Sequence, residues 1–376
     1  MADSSAPLVV SMGNGLLSLD DRSLSAHTPK LFNVNALPFD YEPNAPEPSE
    51  WLAFLESVWD GDVEQIELLQ EFMGYLISGR SEFEKIGMMI GPPRSGKGTI
   101  AKTMTALLGR DNVVFPTLHS LGTNFGLQPL IGKSAAVVND ARFGGQNSAQ
   151  LVERLLSISG RDSQTIDRKN REAWTGYLGV RFLIISNEVP SVRENSAGLA
   201  NRMLILRMTK SFLGKEDRAL ADRLMAERPG IFNWALEGLD RLVAVGRFTR
   251  PASSESTFHD LEQITNPISA FVEEECVLEF EAEVLKNDLY ERYQLWCRGS
   301  GQVSASQIEF GRKLRAACPL VTTNQPVIDG RRTGGYRGIR LRPERGDPIV
   351  VVKPKRQRPH PVHPVHPMQR KTARAQ

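Results

Sequence analysis

The residues best suited to chemistry in this chain form one run, Gly91-Pro92-Pro93-Arg94-Ser95-Gly96-Lys97-Gly98-Thr99. Glycines at 91 and 96 followed by a lysine suit a turn between a buried strand and a helix. Its backbone N–H groups, aided by the helix dipole, point at phosphate oxygens. Lys97 can then reach the β- and γ-phosphates of a nucleoside triphosphate. The flanks agree, because an apolar strand-like run, Gly87–Ile90, comes before and a helix-forming run, Ile100–Leu108, follows. If the glycines merely closed a tight turn, Lys97 would have no purpose. The chemistry expected here is ATP binding with Mg2+. One position departs from the usual pattern: the magnesium-binding Ser or Thr after the lysine is replaced by Gly98, with Thr99 one step later. The metal is therefore expected on Asp140 and Thr99, largely through water.

Three later segments supply partners for such a site. Ala135–Val138 is an apolar strand ending in Asn139-Asp140, which would bring a carboxylate beside the metal and the γ-phosphate. A second apolar strand, Phe182–Ser186, ends in Asn187-Glu188, where the Asn187 amide can orient an attacking water. In Gly198-Leu199-Ala200-Asn201-Arg202-Met203-Leu204-Ile205-Leu206, an arginine stands immediately before another strand.

Taken in this order, the four elements resemble superfamily 3 helicases, specifically the phage and plasmid primase-helicase family, which is also similar to the poxvirus primase-helicase. Asn14–Leu17 and the helices before the loop look like the family's pre-helicase region. Leu289-Tyr290-Tyr293-Trp296-Cys297 looks like its C-terminal winged-helix unit. The resemblance implies an AAA+-like ring, usually a hexamer, that hydrolyses ATP at subunit interfaces and draws single-stranded or forked DNA through a channel, typically 3′ to 5′. Lys97 would neutralise phosphates, Asp140 would act at the metal or as base, Asn187 would be the sensor, and Arg202 would be the finger reaching a neighbour's γ-phosphate. Arginine suits that last role because its planar fork stabilises spreading negative charge. Thr165–Arg171 falls where the family has a channel hairpin, so Lys169, then Arg168 and Arg171, are the expected contacts to DNA phosphates. A separate primase or polymerase partner and a host cytoplasm are implied as well, since no polymerase-type primase domain is recognisable.

The family's fuller pattern has two adjacent acids where this chain has Asn139 and Asp140. If Asn139 fills the metal position, Asp140 is the base. In another register Asp140 holds metal, and Glu153 or Glu188 enters as base. Two other classes compete with the motor. The Gly-Lys-Gly-Thr ending resembles adenylate kinases, which suggests a small-molecule kinase. The missing second acid suggests a module that uses ATP only to assemble on DNA or at an origin, without unwinding.

The elements that must position these residues follow from periodicity. Residues 1–50 are turn-rich and read as a leader or the remnant of a pre-helicase region, and 51–84 as a helical collar of two helices broken and capped at Asp60-Gly61-Asp62. Residues 85–250 alternate buried strands (Ile86–Ile90, Ala135–Val138, Arg181–Ser186, Met203–Met208) with helices, giving an α/β phosphate-loop core that ends in a helical lid at 216–245. Ser253–Ser256 reads as a linker. Residues 266–342 read as three helices and a β-ribbon, a winged-helix-like domain in which Arg312, Lys313 and Arg315 could meet phosphates. Residues 343–376 are a basic, Pro- and His-rich tail expected to be disordered. Trp174 and Tyr177 can stack on bases or, more in keeping with their type, pack in the core.

Length and charge fit this layout. A chain of 376 residues has room for two or three packed units, and 40% hydrophobic with 24% charged residues excludes a wholly disordered chain. The net charge of +2 conceals seven Lys or Arg after residue 347, so the body is mildly acidic and any grip on nucleic acid must be local. Cys276, Cys297 and Cys318 are too widely spaced for a zinc knuckle. No stretch has the length of a membrane helix.

Overall fold

A computed structural model describes residues 8–141, 148–189, 197–325, 327–328 and 331–343. The expected tail, apart from Pro343, lies outside them. Five parallel strands make the central sheet: β1 (Ile86–Ile90), β2 (Val113–Val114), β3 (Ala135–Val138), β4 (Arg181–Ser186) and β5 (Met203–Arg207), in the order β5-β1-β4-β3-β2. Four of these are the apolar runs read from the sequence. At two residues, β2 is too short to show a period.

The strands are apolar throughout because both faces are covered. Met89, Val137, Leu183, Ile185 and Leu206 enter one core, and Met88, Ala136, Val138, Ile184 and Ile205 enter another, as the two-residue period of a strand requires. The first face carries the collar helices Ser49–Trp59 and Val63–Ser78 together with helix Arg228–Val245. Asp62 caps the second collar helix, its side chain accepting from the Gln65 N–H at 3.3 Å. The first collar helix begins after Pro48 with no side-chain cap of its own. Glu227, from the lid, accepts instead from the N–H groups of Glu50 and Trp51, each at 2.9 Å.

Two expectations from sequence need correction. The first concerns the leader, one of the two readings of residues 1–50. Val9–Met12 and Gly15–Ser18 pair as a hairpin around Gly13-Asn14, and Val10, Met12 and Leu17 join Leu37, Phe39 and Tyr41 in the collar core. The turn-forming Asn14 ties the hairpin to Tyr41, accepting from its N–H at 2.9 Å and donating to its C=O at 3.0 Å. The second concerns the supposed linker at Ser253–Ser256. It opens the helix Glu255–Thr265, and Ser254 is buried, donating to the Ile205 carbonyl at 2.9 Å while accepting from Gln65 at 2.7 Å. Serines that read as solvated in one dimension are hydrogen-bonded in three.

In the last unit, helices Pro267–Glu275, Lys286–Gly299 and Gln307–Ala317 enclose Phe271, Tyr293, Phe310 and Ile339. They pack with an antiparallel sheet in the order Cys276–Leu285, Gly335–Leu341, Thr322–Asn324. The long strand Cys276–Leu285 has no counterpart in the sequence reading, since its glutamates resemble a solvated segment. Glu279 and Glu281 pair across the ladder with Arg340 and Arg337, at 2.7 and 2.8 Å. In the helix before this strand, Glu275 pairs with Arg292 at 2.9 Å and Glu274 accepts from the Trp296 indole at 2.8 Å.

Candidate active site

The loop 91–96 leaves the end of β1 and enters the helix Lys97–Leu108. Gly96 has φ +97°, which a side chain would strain, and a Cβ there would meet Val58 and Phe54 at 3.0 and 3.1 Å. The first collar helix is thus the floor of the loop. On the other side, a Cβ on Gly91 would lie 2.4 Å from the Met208 carbonyl oxygen. The segment after β5 completes the brace. The Phe212 N–H donates to the Arg94 carbonyl at 2.8 Å and the Ser211 hydroxyl to the Pro93 carbonyl at 2.8 Å, while the Trp59 indole donates to the Arg207 carbonyl at 2.7 Å. None of these supports carries a local sequence signal, because each comes from an element remote in the chain.

Lys97 is buried, and its ammonium donates to the carbonyls of Gly91 (2.6 Å) and Pro92 (2.7 Å) and to the Ser95 hydroxyl (3.1 Å). Burial lowers its pKa, and the charge of Asp140 opposes that shift. The lysine therefore sits inside the loop that it serves, with one carboxylate acting on it.

That carboxylate reaches the loop through strand register. Val138 pairs with Ile184 and Ile90 with Ser186, so Asp140, Asn187 and Gly91 lie side by side just past the strand ends. Asp140 has φ +50°, a left-handed turn that aspartate tolerates. The next residue is pinned to β4, with the Ala141 N–H donating to the Ile185 carbonyl at 2.9 Å and the Ser186 hydroxyl to the Ala141 carbonyl at 3.2 Å. The Gly91 N–H donates to the Ser186 carbonyl at 3.3 Å. Asn139, Asp140, Asn187 and Glu188 are all exposed, and Glu153 is exposed on helix Ser148–Ser159.

The site suits a metal carried in on phosphates. Among the described residues no group of three or more His, Cys, Asp or Glu could hold a metal ion. Magnesium needs only one or two carboxylates when phosphates and water complete its shell. Asp140 is positioned for that, Thr99 is half-buried in the first helical turn, and nothing lies within 4 Å of where a Gly98 side chain would project. Residues and open space together fit a partly hydrated ion.

Arg202 is not brought to this edge. Met203 pairs with Ile86 and Arg207 with Ile90, so Arg202 is level with Lys85 while the loop starts at Gly91, a separation of about 20 Å at roughly 3.3 Å per strand residue. Its guanidinium pairs with Glu84 at 2.9 Å and donates to the Ser159 hydroxyl at 2.8 Å and to the Leu156 carbonyl. Within one chain it cannot touch phosphates held at the loop.

Gln164–Arg168 and Arg171–Gly176 form an antiparallel hairpin whose tip is Lys169-Asn170, with Asn170 at φ +57°. Lys169 and Arg171 are exposed; Arg168 is half-exposed and donates to the Glu172 carbonyl at 2.8 Å. Trp174 packs against the core under the sheet, whereas Tyr177 is exposed. The two aromatics, alike in sequence context, part ways in the structure.

Three family models match the chain. One described as D5 N terminal like covers residues 2–60, one described as Poxvirus D5 protein-like covers 264–321, and a family of unknown function (DUF5906) covers 89–202. Among solved structures, the A form apo structure of the NrS-1 C terminal region is similar at a TM-score of 0.52 and 14% identity, over 89% of this chain and 83% of that one. A second apo structure of that region aligns over the same shares at 0.45 and 13% identity. The first likeness shows a shared fold. No helix among the described residues is long and apolar enough to cross a membrane. D5-type segments match on both sides of the phosphate-loop sheet, and with the motif order they support a phage primase-helicase family for this chain.

Proposed function

We propose that this chain is an ATP-driven DNA helicase motor of a phage, prophage or plasmid replication system, working as a ring of copies, with six as the expected number. The observation that supports it most is the meeting of the Gly91–Thr99 loop, Asp140 and Asn187 at one edge of the sheet. Lys97 leaves its carbonyl partners for the β- and γ-phosphates. Asp140 with Thr99 would hold Mg2+, which supplies charge neutralisation on the transferring phosphoryl group. Asn187 orients the attacking water, and with Asp140 on the metal the proton goes to Glu153 or Glu188. Arg202, remote from its own loop, acts on the nucleotide of an adjoining copy. The basic hairpin tip at Lys169, with Arg168 and Arg171, follows the DNA backbone without reading bases. The three-helix C-terminal unit serves as a winged-helix-like accessory, and movement along the strand runs 3′ to 5′.

The test is ATP hydrolysis by the full chain with and without single-stranded DNA, followed by unwinding of forks carrying either a 3′ or a 5′ tail. Stimulation by DNA is expected, with loss of at least a hundredfold in Lys97→Ala, and unwinding of one tail polarity. Nucleotide-dependent assembly on DNA with neither hydrolysis nor unwinding would favour the assembly module, and phosphorylation of a nucleoside monophosphate would favour the kinase; either sinks the motor.

A further inference from the structure

The end of the sheet where β1 and β5 begin, opposite the phosphate loop, holds a cavity of about 490 Å3 that no step above uses. It lies between the start of β5, the residues leading into β1 and the segment 246–258. Phe83, Met203, Phe248 and Phe258 form an apolar wall, and Lys85, Arg247 and Arg250 stand on it as cations with Glu82 and Glu255. Glu82 is already committed, accepting from the Arg80 guanidinium at 2.5 Å and the Ser81 N–H at 3.0 Å. The Arg250 guanidinium lies over the Phe258 ring, 5.3 Å from its centroid, which holds it at the wall. The Lys85 ammonium donates to the Asn201 carbonyl at 2.5 Å, one residue from Arg202. Burial lowers the Lys85 pKa, the charges of Arg250 and Arg202 lower it further, and Glu84 opposes them. Cations therefore crowd one another here, and an anion would relieve that repulsion.

The volume lies within the range of about 300–1,000 Å3 typical of small-ligand sites. An apolar wall beside a lysine and two arginines suits a ring system that bears phosphate. We propose that this cavity binds a phosphate-bearing ligand of nucleotide size, its phosphates on Lys85, Arg247 and Arg250 and its ring against Phe83 and Phe258. The ligand is either free nucleotide or the nucleotide held on the loop of a second copy. The first source makes this a second nucleotide site in each chain, the second a site shared between copies. Because Lys85 directly precedes β1, whose far end is the loop, and touches the residue before Arg202, occupancy acts on both.

The experiment titrates the full chain with ADP carrying a fluorophore on the ribose. In Lys97→Ala, whose loop is disabled, residual binding that falls at least tenfold on adding Lys85→Met and Arg250→Met identifies free nucleotide as the ligand. If Lys97→Ala binds nothing, release of label from the otherwise unaltered chain at high protein concentration decides: release at least tenfold faster with Lys85→Met and Arg250→Met identifies the second copy's nucleotide. In either case Lys85→Arg with Arg250→Lys restores the signal, which separates lost charge from lost fold. Binding and release within twofold of the unaltered chain in both arrangements, or no restoration by the charge-keeping pair, overturns the proposal.

Discussion

At the scale of single residues, the loop joins positions fixed by contact to one left open. Gly91 and Gly96 are confined by the Met208 carbonyl and by Phe54 and Val58, but nothing lies within 4 Å of a side chain placed on Gly98. Gly98 is also exposed in the first turn of a twelve-residue helix. Alanine costs less backbone entropy than glycine in a helix, so Gly98→Ala should raise stability by about 0.5 kcal/mol. Urea unfolding monitored by circular dichroism should show a higher midpoint at unchanged slope; a lower midpoint would mean that Gly98 is needed for the fold. The same substitution fills space assigned above to hydrated metal, so the magnesium dependence of nucleotide binding should change while stability does not fall.

At the scale of elements, the collar is part of the candidate site. Helix Ser49–Trp59 gives the loop its floor through Phe54 and Val58, and Trp59 holds the end of β5. Glu227 of the lid caps that helix, so lid, collar and loop are linked in series. Phe54→Ala should cost about 3 kcal/mol, as large-to-small changes in a packed core do. Phe232, fully buried in the same core against Phe39 and Tyr41, is the comparison. Both variants should melt lower, but only Phe54→Ala should weaken nucleotide binding, by tenfold or more, at a temperature where each is folded. Equal weakening in the two would show that the floor has no special role.

At the scale of the whole molecule, Arg202 and Lys97 lie at opposite ends of neighbouring strands, so a shared catalytic role requires two copies. In the single chain Arg202 is held by Glu84, Leu156 and Ser159, contacts that the proposed role on a neighbour's nucleotide requires it to exchange. Arg202→Ala and Lys97→Ala chains, each inactive alone, should regain ATPase activity when mixed, because one of the four kinds of interface then carries both intact groups. About a quarter of the unaltered activity is the expected yield for independent interfaces in an equal mixture. Activity in either variant alone, or none in the mixture despite assembly, would remove Arg202 from the neighbour's site.

The order of the chemical groups was legible in the sequence. The loop pattern and three strand ends followed from local spacing, because a phosphate loop and a fully buried strand each need particular residues at consecutive positions, whereas the hairpin came from the family resemblance. Register then decided which strand-end groups meet. Asp140 and Asn187 converge on the loop because β3, β4 and β1 are neighbours, and Arg202 is excluded because it precedes its strand. What the sequence by itself did not determine was anything held by a remote partner. The turn-rich start proved to be a packed hairpin because Asn14 finds Tyr41, and the supposed linker proved to be a helix start because Ser254 finds Gln65 and Ile205. Likewise the acidic strand of the last unit forms because arginines stand opposite it. Local pattern reports what a segment needs; only the tertiary structure supplies the partner that meets the need, and polar segments depend on such partners most.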